Sequence, residues 1–313
     1  MELQSVSSIL RKDVKVACVQ FASGQCKTTN IERARARVIE AAANGAEIIV
    51  LPECFNSPYS TSAFSEYAEV LDPVPLDEQA SPTFYAMSRM AKDSGIYLIG
   101  GSIPELQKDS NRIFNTSVVF SPLGEPLGLH RKAHLFDVDF PGMSFRESDV
   151  LSPGNDITII HLEEFGKIGL GICFDIRFPE PAIIAGRSGA FCLIYPSAFN
   201  STTGPLHWDL LSRSRALDNQ MYVVMSSQSF DPGSEYPAWG HSMVVDPSGQ
   251  VLASASRDET IVYANLSDEL LQRSRRQLPL ATSRRFDLYP DISGKGSQET
   301  ATIENNRQLS SGR

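Results

Sequence analysis

The spacing of apolar residues in the first third of the chain predicts strands that alternate with helices. The run VKVACVQ at 14–20 is typical of a strand. A helix should follow, starting at a capping box formed by Thr29 and Glu32 and ending near Gly45. The next predicted elements are a buried strand at 47–53, a helix at about 80–94 and a strand at 96–101. This β-α-β-α-β order favours a sheet that is largely parallel.

The rest of the chain shows a second series of strands and helices together with two hairpins. Residues 114–120 and 126–132 are expected to pair across the turn SPLG, while 133–156 has little periodicity and is expected to be a loop. The other predicted elements are strands at 157–162, 167–173, 191–196, 221–227 and 261–266, helices at 179–188 and 205–218, and a hairpin of 241–246 with 251–256. The pattern therefore predicts an α/β protein with two sheets and helices outside them.

Composition narrows the classes of protein to which the chain can belong. Of its 313 residues, 42% are hydrophobic and 21% are charged, which is ordinary for a globular protein with a sizeable core. No apolar run approaches the roughly 18 residues of a membrane helix, and a net charge of -9 disfavours nucleic acid as a partner. We expect one domain at 14–290, an extension at 1–13 and a polar, disordered tail at 291–313.

The cysteines indicate a reducing environment. There are five, an odd number, and no CxxC pair occurs, so neither a disulfide framework nor a zinc site is predicted. The first residues lack the apolar segment of a secretory signal. We therefore predict a cytoplasmic protein, with the mitochondrion as the alternative. The sequence contains no metal-ligand cluster and no phosphate- or dinucleotide-binding loop, so we expect neither metal nor cofactor.

Three residues at the ends of predicted strands could carry chemistry. Cys173 ends the run KIGLGIC before a turn into a helix, where a thiol would face exposed backbone N–H groups. Glu53 ends a strand at the edge where such sheets bind ligands, and Lys132 ends the first hairpin. Each has a simpler interpretation, as a small buried residue for Cys173 and as surface charges for the other two. None of the five histidines lies in a Cys-His signature, which leaves pairing in space open.

The sequence around these three residues resembles a known pattern. LPECFNSPY, HRKAHLFDVDFPG and GLGICFDIRFPE are similar to the Glu-Lys-Cys signatures of the nitrilase, or carbon-nitrogen hydrolase, superfamily, over about residues 14 to 289. The resemblance implies a four-layer α-β-β-α sandwich that associates as a dimer through its helices. AFNSTTGPLHWDLL, YPAWGHSMVVDP and RRFDLY further resemble the omega-amidase branch. Enzymes of that branch release ammonia from the terminal amide of 2-oxoglutaramate and succinamate.

Other functions stay open at this point. The nearest sister branch hydrolyses the amide of deaminated glutathione, and true nitrilases form a more distant branch. A catalytically inactive scaffold that works through its dimer surfaces belongs to a different class, but a scaffold has no need to keep all three residues. Whether an amide is converted to acid and ammonia, and whether nitriles react at all, discriminates among these functions.

The resemblance also implies a role for each catalytic residue. Cys173 would attack the amide and form a thioester, and Glu53 would pass the thiol proton to the leaving ammonia and later activate water. Lys132, kept as an ammonium, would stabilise the thiolate and form the oxyanion hole with the backbone N–H of Phe174. Glu147 matches an additional glutamate of the family and would orient Lys132 or assist proton transfer.

Candidates for substrate binding are of three kinds. A dicarboxylate monoamide keeps one carboxylate, for which Arg177 and His207 offer positive charge. Hydroxyl groups and aromatic rings are offered by Tyr59, Thr203, Phe174 and Phe199. Core packing is the alternative interpretation of the rings, and Arg177 could equally be structural. The predicted partners are a small amide, water and a second copy of the chain.

Overall fold

The computed structural model describes residues 9–71, 78–140 and 143–289. Its strands are β1 (Val14–Gln20), β2 (Ile48–Val50), β3 (Tyr97–Ile99), β4 (Ile103–Gln107), β5 (Arg112–Phe120), β6 (Pro126–Arg131), β7 (Asp137–Phe140), β8 (Met143–Arg146), β9 (Thr158–Leu162), β10 (Gly166–Leu170), β11 (Ala190–Ser197), β12 (Tyr222–Ser227), β13 (Met243–Val245), β14 (Val251–Ser254) and β15 (Thr260–Leu266). The helices are α1 (Lys27–Ala43), α2 (Phe64–Tyr67), α3 (Pro82–Ser94), α4 (Pro179–Arg187), α5 (Gly204–Asn219), α6 (Asp268–Gln277) and α7 (Leu280–Ser283).

Most of these strands belong to two mixed sheets. In the first, β1, β2 and β3 run parallel, which confirms the predicted parallel start, and β15 lies antiparallel beside β1. Strand β5 pairs antiparallel with β3 and β4 along one side and with β6 along the other. The second sheet has the order β14-β13-β12-β11-β10-β9, parallel in the centre and antiparallel towards both edges. The first predicted hairpin is therefore confirmed as β5 and β6.

The two sheets pack face to face, with helices on their outer faces. Along β1, Val16 and Cys18 contact the second sheet, whereas Ala17 and Val19 face α1 and α3. The outer face of the second sheet packs against α4 and α5 through a separate apolar cluster. Because the central strands are buried on both faces, their sequences are almost continuously apolar rather than alternating. The order of layers is helices, sheet, sheet, helices.

Local signals misplaced some elements. Helix α1 begins at Lys27 with Cys26 at its N-cap, so the predicted capping box at Thr29 and Glu32 is wrong. The Lys27 ammonium forms an ion pair with the buried Glu69 carboxylate at 3.1 Å. This tertiary contact holds the first helical turn, which begins three residues earlier than the local pattern indicated.

The interval 133–156 is not simply a loop, as the sequence had led us to expect. It contains the two-stranded ribbon of β7 and β8 and then one turn of 3-10 helix at Glu147–Asp149. These strands pair only with each other, so they are short and lack a lasting period. Strand β4 and helices α2, α6 and α7 were also not predicted. The predicted tail at 291–313 and most of the extension at 1–13 lie outside the described residues, although Leu10 is buried in the core between the sheets.

Candidate active site

Four residues from separate parts of the chain meet at one end of the sandwich. Glu53 follows β2, and Lys132 directly follows β6, so both leave the first sheet. Glu147 opens the 3-10 turn after β8. Cys173 opens a second 3-10 turn, Cys173–Arg177, three residues beyond the end of β10 in the second sheet. The two sheets thus supply different members of one cluster.

Lys132 lies at the centre of the cluster and is completely buried. Its Nζ donates to Glu53 Oε1 and to Glu147 Oε1, each at 2.8 Å. Both carboxylates are also completely buried, so this is a carboxylate-ammonium-carboxylate group without contact with solvent. The predicted neighbours Glu53, Lys132 and Glu147 are therefore in direct contact.

Each carboxylate is held by further donors. Asn115 Nδ2 donates to Glu53 Oε1 at 2.9 Å, and the backbone N–H of Phe136 donates to Glu147 Oε2 at 2.7 Å. The Tyr59 hydroxyl donates to Glu147 Oε1 at 2.7 Å, so this hydroxyl serves the catalytic cluster rather than standing free for a substrate. Asn115 was missed in the sequence, although an amide inside the buried strand β5 was an available signal.

The second sheet also fixes the chain at Glu53. Gln228 directly follows β12, and its Nε2 donates to the Glu53 carbonyl at 2.8 Å. The Ser226 hydroxyl lies 3.1 Å from the carbonyl of Val50, in the strand that precedes Glu53. These contacts hold the two sheets together at the end where Glu53 and Cys173 approach each other.

The charges of the cluster shift the protonation of its members. Burial first, and then the like charge of Glu147, raise the pKa of Glu53 even though the Lys132 ammonium opposes them. For Lys132, burial lowers the pKa, but the two carboxylates raise it well above its usual value. Lys132 is consequently an ammonium at every physiological pH. Two carboxylates against one ammonium leave the ionised cluster with one excess negative charge.

Cys173 joins this cluster as a thiol rather than as a thiolate. Its backbone has a φ of 46°, a left-handed conformation that is uncommon for a residue with a side chain, and its side chain is nearly buried. Burial, followed by the Glu53 charge, raises the pKa of Cys173 well above its usual value, and Lys132 and the backbone N–H of Ala198 only partly offset this. A base must therefore remove the proton before the sulfur can attack.

Glu53 has one oxygen suited to that task. Its Oε1 accepts hydrogen bonds from Lys132 and Asn115, whereas Oε2 is buried and receives no hydrogen bond of ordinary geometry from the described residues. The Cys173 thiol is close enough to this carboxylate for each group to shift the pKa of the other. The backbone N–H of Phe174 is likewise not donated to another group of the described chain.

The Arg177 guanidinium lies close enough to the thiol for the charge of Cys173 to shift the pKa of Arg177. Arg177 contacts the rings of Phe174 and Phe199, with centroids 5.3 and 5.0 Å from its Cζ. Within the described residues, no carboxylate forms an ion pair with Arg177, and its buried Nε has no hydrogen-bond partner. Its NH1 lies 3.0 Å from His207 Nδ1, so His207 contacts Arg177 rather than the catalytic cluster.

Aromatic rings close the rest of the pocket. Tyr59 packs against Tyr236 at 4.6 Å and stacks on Phe145 at 5.7 Å, and Phe136 packs edge-on to Phe174 at 5.2 Å. Tyr236 was missed in the sequence. Burial, and then the charges of Cys173 and Glu53, raise the pKa of its hydroxyl, which places this ring beside the cluster. Periodicity gives no signal for it because it lies in an irregular loop.

Thr203 lies at the start of α5, where its hydrogen bonds go to Asn200 rather than to the catalytic cluster. It precedes α5, and both its N–H and its hydroxyl donate to Asn200 Oδ1, at 2.7 and 3.0 Å. These bonds use the hydroxyl to close the turn before the helix. The structure brings together five of the predicted residues: Glu53, Lys132, Glu147, Cys173 and Tyr59. A neighbouring group contains Phe174, Phe199, Arg177 and His207. Among the described residues, Thr203 shares no hydrogen bond with either set.

The described ranges offer neither a metal site nor a membrane-spanning helix. Histidine, cysteine, aspartate and glutamate side chains there form no group of three or more that could hold a metal ion. In the same ranges, no helix has the length and apolar character needed to cross a bilayer.

Residues 15–276 match the carbon-nitrogen hydrolase family over most of the chain. The chain belongs to that family. A carbon-nitrogen hydrolase of Saccharomyces cerevisiae named omega-amidase NIT3 is 48% identical over 294 residues, covering 92% of this chain and 99% of its own length. The Mus musculus protein named omega-amidase NIT2 is 47% identical over 282 residues, covering 90% of this chain and 98% of its own.

A solved structure agrees with this membership. The crystal structure of Saccharomyces cerevisiae Nit3, described as a member of branch 10 of the nitrilase superfamily, superposes with a TM-score of 0.83 at 45% identity. It covers 90% of this chain and all of that chain. The carbon-nitrogen hydrolase fold expected from the resemblance is therefore confirmed as a nitrilase-superfamily α/β fold.

Removing the Lys132 charge should destabilise the protein in a pH-dependent way. Lys132→Met leaves Glu53 and Glu147 buried without a counter-charge, a loss that typically costs about 3–5 kcal/mol. The pKa of Glu53, which burial already raises, would then rise further because Lys132 no longer opposes the shift, so the folded variant binds more protons. The stability of the variant relative to the native protein should be greatest below the pKa that the Glu53 carboxyl has in the unfolded chain. It should fall as the pH rises through the higher pKa that this carboxyl has in the folded variant.

Chemical denaturation at several pH values measures this effect. Lys12→Met is the matched control, because Lys12 pairs with Glu47 at the same 2.8 Å but its side chain is 56% exposed. That variant should change the unfolding free energy by no more than about 1 kcal/mol. Equal effects of the two substitutions, or a Lys132→Met protein that gains stability with rising pH, would contradict the charge arrangement.

Proposed function

We propose that this carbon-nitrogen hydrolase is an omega-amidase, which releases ammonia from the terminal amide of small dicarboxylate monoamides such as 2-oxoglutaramate and succinamate. The names of its close relatives support the proposal. The observation that carries it is the Arg177 guanidinium, which lies beside the Cys173 thiol without a carboxylate partner among the described residues. Such a cation is the natural partner of the carboxylate at the far end of a short monoamide.

The first half of the reaction forms a thioester. Glu53 Oε2 removes the proton of Cys173 as the sulfur attacks the amide carbon, and the carbonyl oxygen becomes an oxyanion. Glu53 then gives that proton to the amide nitrogen, the carbon-nitrogen bond breaks, and ammonia leaves. A carboxylate with a raised pKa suits both transfers, because it holds the proton more firmly than an ordinary carboxylate and can still release it to the leaving group.

The second half regenerates the enzyme with the same base. Glu53 takes a proton from water while the oxygen attacks the thioester carbon. The carbon-sulfur bond then breaks, the acid leaves, and the departing thiolate of Cys173 recovers the proton from Glu53. One water molecule is consumed, and one acid and one ammonia are produced, so the protein is unchanged.

Lys132 and Phe174 stabilise the oxyanion in both halves. Two N–H donors of Lys132 bind carboxylates at 2.8 Å, and the third has only a long contact of 3.4 Å with the Tyr59 hydroxyl. This third donor and the uncommitted N–H of Phe174 would bind the oxyanion, each contributing about 3–4 kcal/mol by analogy with a lost oxyanion-hole donor. Glu147 keeps Lys132 charged and in position.

His207 is best described as a positioning residue for Arg177. Its Nδ1 must accept the hydrogen bond from the guanidinium, so the ring is neutral, and burial together with the Arg177 charge lowers the pKa of His207. The Phe174 and Phe199 rings both contact the guanidinium and restrict its movement. The substrate carboxylate would then pair with Arg177 while the amide lies against Cys173.

The alternative within the family is an amidase for a larger amide such as deaminated glutathione, and a nitrilase is a more distant one. Both keep the same attack by Cys173. They differ in the substrate that must fit between the thiol and Arg177, and in whether a nitrile reacts.

Cys173→Ala should abolish ammonia release from succinamate while the protein stays folded, because it removes only the nucleophile. The matched control is Cys192→Ala, which also deletes a buried thiol but lies in the core between the sheets. That control should retain the native rate. Coupled detection of ammonia measures both variants. Substantial turnover by Cys173→Ala would exclude the thioester mechanism, and release from deaminated glutathione alone would favour the sister branch.

Arg177→Met should impair only substrates that carry a carboxylate. Methionine keeps apolar contact with the two flanking rings but removes the charge, and hydrogen bonds to charged groups are worth about 1.5–3 kcal/mol, or roughly 10- to 100-fold in kcat/KM. Succinamate should show this loss, and the neutral amide butyramide, which has a methyl group in place of the carboxylate, should not. An equal loss for both amides would mean that Arg177 is structural.

The proposed assembly is a homodimer formed through the outer face of α5, and the proposed location is the cytoplasm. Leu206, Leu210 and Leu217 form a stripe along α5 that is 66%, 60% and 41% exposed. Asp209 and Arg213 lie on the same helix with opposite charges, so the face is complementary to a second copy related by a two-fold axis. All five cysteines are free thiols, which suits a reducing compartment.

Sedimentation velocity tests the dimer. The native protein should sediment as two chains, and Leu210→Asp should sediment as one because it places a charge in the centre of the stripe. Leu123→Asp is the control, since Leu123 is 69% exposed in the turn between β5 and β6. A native monomer, or a dimer that survives Leu210→Asp, would contradict this interface.

A further inference from the structure

A buried carboxylate connects the two chain segments that carry Lys132 and Cys173. Asp175 lies two residues after Cys173 in the same 3-10 turn and is almost completely buried. It contacts none of Glu53, Lys132 and Glu147, and the reaction described above does not use it. Its partners nevertheless lie on both sides of the active site.

Each oxygen of Asp175 accepts two hydrogen bonds. Oδ2 accepts from the Ile172 backbone N–H and from His130 Nε2, both at 2.9 Å. Oδ1 accepts from the backbone N–H of His134 at 3.0 Å and from its Nδ1 at 2.7 Å. His130 and His134 stand two residues before and two residues after Lys132, and Ile172 directly precedes Cys173. One carboxylate therefore joins the neighbours of the ammonium to the neighbour of the thiol.

The partners of Asp175 are themselves fixed. His130 Nδ1 lies 3.0 Å from Thr158 Oγ1 at the start of β9, and the His134 ring stacks on Phe178 with centroids 3.7 Å apart and planes 11° apart. Despite burial, the hydrogen bonds from the two histidines hold the pKa of Asp175 well below its usual range, so the acceptor is always ionised.

The turn at Cys173 needs such support. Cys173 has the left-handed φ of 46°, which residues with side chains rarely adopt. Besides accepting from Ile172 N–H, Asp175 donates its own backbone N–H to the Ile172 carbonyl at 3.0 Å. These two bonds close the turn around Cys173 and hold the sulfur in one direction.

We propose that Asp175 is a positioning residue that sets the placement of the Cys173 thiol relative to the Lys132 ammonium, acting through His130, His134 and Ile172. The proposal rests on Cys173 being the nucleophile, as in the proposed function, but not on which amide is the substrate. Misplacement of a catalytic group by about 1 Å can cost about 10²-fold in rate. Loss of Asp175 should therefore reduce kcat more than it changes KM.

Asp175→Asn tests this role because the side chain keeps its shape, while one of its two acceptor oxygens is replaced by an NH₂ donor. Whichever way the carboxamide is turned, its NH₂ group faces a backbone N–H, so that hydrogen bond must be lost together with the charge, and the histidine on the same side must change its tautomer to keep its bond. The matched control is Glu69→Gln. Glu69 is an equally buried carboxylate that pairs with Lys27 and accepts the Thr83 and Phe84 N–H groups of α3, away from the catalytic cluster.

Two readouts separate positioning from general stability. With succinamate, Asp175→Asn should lower kcat about 10²-fold and change KM by no more than a few-fold. Glu69→Gln should keep the native kcat, even if its melting temperature falls as much as that of Asp175→Asn. Without substrate, alkylation of Cys173 by iodoacetamide, followed by peptide mass mapping, should be slower only in Asp175→Asn. Native alkylation and kcat in Asp175→Asn, or equal losses in Glu69→Gln, would overturn the proposal.

The alkylation measurement also separates this proposal from the proposed function. A native protein that releases no ammonia from any amide would defeat the proposed function, while the alkylation contrast would still test Asp175. His134 provides a second pair of variants if Asp175→Asn does not fold, because its side chain is 31% exposed. His134→Asn keeps an N–H donor near the position of Nδ1 and should retain far more activity than His134→Ala. Equal activity of these two variants would also overturn the proposal.

Discussion

The buried Lys132 ammonium between two carboxylates is the interaction on which the rest of the active site depends. Three charges without solvent are tolerated because the ammonium lies 2.8 Å from both carboxylates and because Asn115, Tyr59 and a backbone N–H donate further hydrogen bonds to them. Burial, together with the negative charge of Glu53, raises the pKa of the neighbouring Cys173 and keeps it protonated. Burial, together with the charge of Glu147, also raises the pKa of Glu53 and so prepares the base that removes the proton.

The sandwich supplies the rigidity that this charge arrangement requires. Glu53 and Lys132 leave the first sheet and Cys173 leaves the second, so face-to-face packing of the sheets fixes their separation. The ties between the sheets are concentrated near Glu53, where Gln228 and Ser226 of the second sheet bind carbonyls of the first. A polar site is therefore enclosed at one end of an apolar core.

Sequence patterns anticipated the parts of the molecule that depend on local periodicity and on motifs. Strands such as 14–20 and 191–196 are almost continuously apolar because both faces are buried. The three motifs identified Glu53, Lys132 and Cys173. Asn115, Tyr236 and Asp175 could not be found in this way, because their significance arises from contacts between distant segments. The ribbon of β7 and β8 escaped prediction for a related reason, since two four-residue strands that pair only with each other leave no lasting period.

The central claim is that Cys173 rests as a neutral thiol and is activated by transfer of its proton to Glu53. The most direct test is the ultraviolet absorbance of the thiolate as a function of pH, taken as the difference between the native protein and Cys173→Ala. The account predicts no thiolate signal at neutral pH, with titration only above the usual thiol value of 9.0. A thiolate signal already complete at neutral pH would contradict it and would indicate a preformed ion pair between Cys173 and Lys132.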